Sequence, residues 1–264
     1  HSFEVEQCVD LMTVTYNPSN TILWYLMGLY VKPKKAVFII HDYRSLSINP
    51  FAKCKDFIKR LLNFTPDFRL FHDVPTKTIL GFSDGVKSAL LLLGVSELTL
   101  KYRNFSNGYL YDFCYVGDVS FEREIVGYLD GFIALYGETK SFVLIGKCDD
   151  KIKRYYAKYE NIIFKGFLSK NDMYQIVAES EFALSFVPNK YPYIHHVPSK
   201  LLEYAVMGKK IIANKSPSNF ENVKDIGFEI SYVCEGVFPA LESLKSVRDN
   251  LDFNYSSLLW GERI

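Results

Sequence analysis

Pro198-Ser199-Lys200-Leu201-Leu202-Glu203-Tyr204-Ala205-Val206-Met207-Gly208-Lys209-Lys210-Ile211-Ile212-Ala213 is the stretch that decides the fold. Proline and serine belong at the start of a helix. Leu201, Leu202, Ala205 and Val206 give that helix an apolar face at helical spacing. Gly208 stands where a glycine ends a helix, and Ile211-Ile212-Ala213 reads as a short strand covered on both faces. The free N–H groups of a helix start suit a phosphate, and Glu203 lies about one turn further in, where a carboxylate can accept from sugar hydroxyls. The stretch also fits an ordinary αβ unit with a solvated Glu203.

The neighbouring segments extend the same alternation. Toward the N-terminus of this stretch the pattern predicts a strand over 182–186, a helix over 171–179 capped by Ser169 or Asn171, and a strand over 162–164. Before those it predicts a helix over 150–159, a strand over 142–145, a helix over 122–136 and a strand over 110–116. Glycines follow several of these strands, at Gly117, Gly146 and Gly166. In the first hundred residues it predicts strands over 9–15, 36–40, 77–82 and 98–102, and helices over 21–30, 49–64 and 84–93. Alternation of this kind predicts parallel sheets with helices on both faces. The polar loop over 104–108 is the expected domain boundary.

The bulk composition narrows the function. The chain has 264 residues, 48% of them hydrophobic, with 31 basic and 30 acidic side chains and a net charge of +1. It is long enough to bury a core without disulfides or a structural metal. A near-neutral balance argues against binding nucleic acid through bulk charge. The five cysteines are odd in number and have no metal-ligand spacing, which reads as reduced thiols in a cytoplasmic protein. No apolar run is long enough to span a bilayer.

Taken together, Tyr115-Val116-Gly117, Leu144-Ile145-Gly146, Ile163 through Phe167 and Pro198 through Ala213 resemble, in order and spacing, the donor domain of retaining glycosyltransferases of the GT-B fold, family 4 and its relatives. Ile40-His41-Asp42 is similar to a strand end of that family's other domain. The resemblance implies an α/β chain of two Rossmann-like domains with parallel sheets facing across a cleft, the N-terminal one reduced or truncated. The expected division is an acceptor-side domain over 1–108, a nucleotide-sugar domain over 109–245, and a segment over 246–264 crossing back to the first.

The implied activity is transfer of a sugar from a nucleoside-diphosphate sugar to a hydroxyl acceptor, with retention. The donor nucleotide is UDP or GDP, and neither cofactor nor metal is expected. The acceptor is a glycan, lipid-linked or protein hydroxyl. The expected location is the cytoplasm, peripheral contact with a membrane included.

Residue roles follow from the same resemblance. Glu203 matches the second glutamate of an E-x7-E motif and would hold the ribose. His195 stands where the first glutamate belongs, and Asp118 stands where the family has an arginine. Arg123, six residues after Gly117, would stabilise the leaving diphosphate with the helix start at Ser199. Lys200 and the backbone N–H groups of His196, Val197 and Ser199 would share that task. Gly117 closes the first strand, and Gly166 and Phe167 match the base-binding loop. His41 matches a histidine near the transferred group, and it also reads as a core histidine beside Asp42. The substitutions at His195 and Asp118 favour a second reading, a catalytically inactive nucleotide-sugar-binding or scaffold protein of the same fold.

Overall fold

A computed structural model describes residues 17, 19–26, 32–33, 38–105 and 108–262; the strand expected over 9–15 lies outside the described residues. The chain divides into two compact units, His1–Leu92 and Leu93–Ile264.

The first unit holds a four-stranded parallel sheet in the order β1-β2-β3-β4. Its strands are β1 (Ile22–Leu26), β2 (Phe38–Tyr43), β3 (Phe68–Phe71) and β4 (Ser88–Leu90). Helix α1 (Ala52–Leu62) joins β2 to β3, and α2 (Val74–Leu80) joins β3 to β4. The expected strand at 36–40 and helix at 49–64 correspond to β2 and α1.

The rest of this unit departs from the sequence reading. The helix expected over 21–30 is in its described part the strand β1, paired from Ile22 opposite Phe38 to Leu26 opposite Asp42. A short apolar run is compatible with either state, and Ile22, Trp24 and Tyr25 fit a pleated surface once a partner strand exists. The strand expected over 77–82 is replaced by α2. The Asp73 carboxylate accepts from the Thr76 N–H at 2.7 Å, Pro75 occupies the first turn, and Gly81 at φ 54 closes the helix. These caps prevail over the β-favouring Thr76, Thr78 and Ile79. The helix expected over 84–93 contains instead the short strand β4, and β3 was not foreseen.

The strand expected over 98–102 is a 3-10 helix (Glu97–Tyr102) that packs on two helices of the second unit, α5 (Lys170–Ala178) and α6 (Ser199–Val206). The boundary therefore falls after Leu92 and not at 108.

The second unit is a six-stranded parallel sheet in the order β10-β9-β8-β5-β6-β7. Its strands are β5 (Tyr111–Val116), β6 (Phe142–Ile145), β7 (Ile162–Gly166), β8 (Ser180–Ser185), β9 (Lys210–Asn214) and β10 (Ser231–Val233). The remaining helices are α3 (Ile125–Tyr136), α4 (Asp150–Tyr156) and α7 (Leu241–Leu244). Here the alternation expected from residue 110 to 213 is present throughout.

Both faces of this sheet are buried. Phe113, Phe142 and Phe182 point to one side, into a cluster with Phe132, Tyr136 and Phe238. Cys114, Val143 and Ala183 point to the other, under Tyr174 of α5 and Leu201 and Tyr204 of α6. Large rings on one face and small side chains on the other let the two helix layers approach to different depths.

The described C-terminal residues pack within the second unit. Leu258 sits with Val95, Leu202 and Val206, and Val95 donates its N–H to the Leu258 carbonyl at 2.8 Å. Arg103 ties this segment to α6. Its guanidinium donates to the carbonyls of Ala205 and Val206 at the end of the helix and to those of Asn250, Leu251 and Phe253. Tyr255 lies beneath it at 4.5 Å. Arg103→Met should cost about 3 kcal/mol, because it strands several partly buried carbonyls at once. Urea unfolding reads this directly, and an unchanged midpoint would refute it.

Candidate functional site

The strand order of the second unit reverses between β5 and β8: the chain runs outward from β5 through β6 to β7, then returns to lay β8 on the other side of β5. Ligands of open α/β sheets bind beyond the carboxyl ends of the strands at such a switch point. Three glycines keep this edge low. Gly117 donates its N–H to the Ile145 carbonyl at 2.8 Å, and Gly146 donates to the Gly166 carbonyl at 2.9 Å. All three have positive φ, and a Cβ on Gly146 would collide with the Gly117 carbonyl oxygen.

At the switch point the structure brings together Tyr115, Arg123, Tyr193 and Lys200. The Lys200 ammonium lies 3.7 Å from the centroid of the Tyr115 ring and 3.5 Å from the Phe186 carbonyl oxygen. The Arg123 guanidinium lies over the Tyr193 ring at 4.3 Å. Tyr193 in turn donates its hydroxyl to Glu122 at 2.9 Å. Burial first, and then the positive charge of Arg123, hold the Lys200 amine well below the ordinary lysine range. Burial pushes the Tyr115 phenol up to about 12, opposed by Arg123. Two cations placed near each other on aromatic faces form a site that gains by receiving an anion.

The loop leading into α6 is fixed by a buried amide network. Asn214 accepts from the Val187 N–H and donates to the Val187 carbonyl, both at 2.8 Å. Asn219 donates to the carbonyl of Ser185 at 2.7 Å and to the Asn214 side chain at 2.9 Å. The loop then makes a 3-10 turn, Tyr193–His195. The His196 N–H donates to the Tyr193 carbonyl at 3.4 Å. The His195 N–H is used likewise, by Pro192, and its ring stands edge-on to Tyr191 at 5.6 Å. Val197 packs toward the core clusters. Ser199 and Lys200 open the helix, where first-turn N–H groups have no intrahelical acceptor.

Glu203 faces α5. Its Oε1 accepts from Lys170 at 2.9 Å and from the Tyr174 hydroxyl at 2.8 Å, and its side chain is 14% exposed. Both bonds fall on one oxygen, which leaves Oε2 to accept from a ligand. The preceding loop places Phe167 beside Gly166 with 81% of its surface exposed. Lys170 thus joins the first turn of α5 to the carboxylate of α6.

His41 in the first unit is fully buried. Its ring meets Phe64 at 4.8 Å, Tyr25 at 5.7 Å and Tyr43 at 6.1 Å, and Nδ1 lies 3.4 Å from the Tyr43 hydroxyl. Neighbouring Asp42 accepts from Trp24 at 3.0 Å and Arg44 at 2.9 Å. These aromatics enclose the imidazole at the carboxyl end of β2. Burial and Arg69 lower its pKa to about 4. The unfolded chain therefore binds the extra proton between about 6.5 and that lowered value. Stability should be intact above pH 6.5 and fall as pH drops toward 4, and His41→Phe should flatten that slope in denaturant titrations at several pH values.

Tyr115, Tyr174, Tyr193 and the Asn214–Asn219 pair were not foreseen as parts of the site. Each lies far in sequence from the residue it supports, so no spacing announces it.

No family model matches the chain, and no curated protein matches it in sequence. Solved structures do resemble it. AviGT4, a glycosyltransferase involved in avilamycin A biosynthesis, superposes with a TM-score of 0.60 at 12% identity, covering 92% of this chain and 70% of its own. Anabaena HepE in complex with UDP gives 0.55 at 12% identity, over 78% of this chain and 61% of its own. Sucrose-phosphate synthase from Thermosynechococcus elongatus gives 0.52 at 12% identity, over 76% and 56%. The chain thus spans less than two thirds of the length of the latter two. The fold is GT-B, an α/β arrangement of parallel sheets shared with these glycosyltransferases.

Proposed function

We propose that this chain binds a nucleoside-diphosphate sugar and transfers the sugar, with retention, to a hydroxyl acceptor. The observation that carries this reading is the convergence of Arg123 and Lys200 at the switch point of the six-stranded sheet. A diphosphate there would neutralise two neighbouring cations and meet the first turn of α6 at Ser199 and Lys200. Glu203 would accept from the ribose hydroxyls through Oε2. Phe167 and the Gly166 backbone would meet the base, and Gly117 would let the diphosphate approach the strand end. As the glycosidic bond to the donor breaks, negative charge gathers on the departing diphosphate, and the same cations stabilise it where it develops.

The HepE structure is described as a complex with UDP, which supports a uridine nucleotide as the first donor to test. GDP remains the second. His195 lies beside Tyr191 at the mouth of the loop, in place of the carboxylate the family would put there, and is assigned to the transferred sugar. His41 takes the part of a buried group that supports its sheet. Glycan, lipid-linked and protein hydroxyls all remain acceptors within this reading, and the cytoplasm is its setting.

Thermal shift against UDP, GDP and dTDP sugars tests binding, since a ligand of the folded state raises its melting point. Release of free nucleotide with and without acceptor tests turnover, and the anomeric configuration of the product tests retention. Binding without turnover on any acceptor would favour the second reading, an inactive nucleotide-sugar-binding or scaffold protein, to which Asp118 and His195 lend support. No binding of any nucleotide would overturn both.

A further inference from the structure

Helix α1 of the first unit is turned inside out. Its inward side carries Ala52 and the carboxylate of Asp56, both buried, and Asp56 accepts from the Ser47 N–H at 2.9 Å. Its outward side carries Phe57, Ile58, Leu61 and Leu62, which are 54%, 40%, 60% and 69% exposed. Phe51 at the head of the helix and Ile48 before it are also exposed, at 76% and 56%. Spacings of three and four residues place Phe57 with Leu61 and Ile58 with Leu62 on one stripe.

The edges of that stripe are basic. Lys53 and Arg60 border one side, Lys55 the other, and all three are exposed. The one acidic residue of the helix is Asp56, which points inward. A protein partner that covered such a stripe would need an apolar centre and an acidic rim. A bilayer containing anionic lipid supplies both over its whole surface, and an apolar stripe with cations on both sides suits it.

We propose that α1 docks this protein onto an anionic lipid surface. The helix lies in the plane of the membrane, with Phe57, Leu61 and Leu62 at the acyl boundary and Lys53, Lys55 and Arg60 among the headgroups. The inference stands on exposure and charge alone, and does not depend on glycosyl transfer.

Co-sedimentation of the full chain with vesicles tests it. Vesicles of equimolar phosphatidylglycerol and phosphatidylcholine should carry the protein down, and pure phosphatidylcholine vesicles should carry far less. Phe57→Ser with Leu61→Ser should weaken the partition by roughly 100-fold, since two apolar side chains lose their burial. Reversing Lys53, Lys55 and Arg60 to Glu should weaken it at least as far, at about five-fold or more per charge, and added salt should do likewise. All five positions are exposed, so the variants should stay folded, which a retained cooperative unfolding transition checks. Retention in the supernatant with anionic vesicles overturns the proposal. So does a concentration-dependent dimer, seen by sedimentation velocity, that the serine variants dissolve. Nucleotide binding measured on the same samples is expected to be unchanged, which separates a failure here from a failure of the donor site.

Discussion

Replacing Arg123 or Lys200 with methionine should lower kcat/KM for the nucleotide sugar by about 10²–10³ each, the loss typical of removing one preorganised charge from a site of developing negative charge. The effect should fall on kcat as well as on KM, because the leaving diphosphate is more negative than the bound donor. The double variant should lose less than the product of the single losses, since the two cations act on one group.

Lys200 carries a further signature. Burial and the nearby Arg123 charge disfavour its ammonium in the unliganded fold by more than the Tyr115 face restores. Lys200→Met should therefore raise the melting temperature while it lowers activity. Its lowered pKa also gives a sign for pH. The amine gives up its proton at a lower pH than an ordinary lysine, so donor affinity should fall as pH rises through that value, and Lys200→Met should remove this dependence. Full activity in either single variant would end the assignment of the diphosphate site.

Glu203→Ala should raise the KM for the donor about 10- to 100-fold, as befits the loss of hydrogen bonds to a charged acceptor. Its effect on kcat should be smaller, because a ribose is held alike before and during bond cleavage. Glu203→Gln keeps the shape and one acceptor oxygen for Tyr174, so it should fall between wild type and Ala. Deoxynucleotide donors supply the control: a donor lacking the 2′-hydroxyl should bind worse to the native chain and equally to Glu203→Ala. If the variant distinguished the two sugars as the native chain does, the carboxylate would not be at the ribose.

The second unit was far more legible than the first. Three of its strands, β5, β6 and β7, are largely apolar runs ended by glycine, and its helices carry clear starts and stops, as at Ser169, Pro198 and Gly208. Local signals and tertiary environment agree there, because a parallel sheet buried on both faces demands such runs. In the first unit they compete. Ile22–Leu26 could serve helix or strand, and only pairing with Phe38–Asp42 decides it. Val74–Leu80 has strand-like side chains inside helix caps, and the caps prevail. A four-residue strand such as Phe68–Phe71 is too short to leave a period.

The site shows the same division. Glu203, Arg123, Lys200 and the glycines Gly117, Gly146 and Gly166 are readable by position, since backbone geometry and motif spacing are properties of neighbouring residues. What each side chain meets is not readable. That Lys200 lies on Tyr115, Arg123 on Tyr193, and Glu203 against Tyr174 and Lys170 depends on which strands and helices lie side by side. The inward turn of Asp56 and the outward turn of Phe57 and Leu61 depend on it too. The sequence determined that parallel sheets and a phosphate-suited helix start exist. Only the packing of distant segments decided which cations are paired, which histidine is enclosed and which apolar face is left to the solvent, because those are free energies of contact between residues that the chain itself keeps far apart.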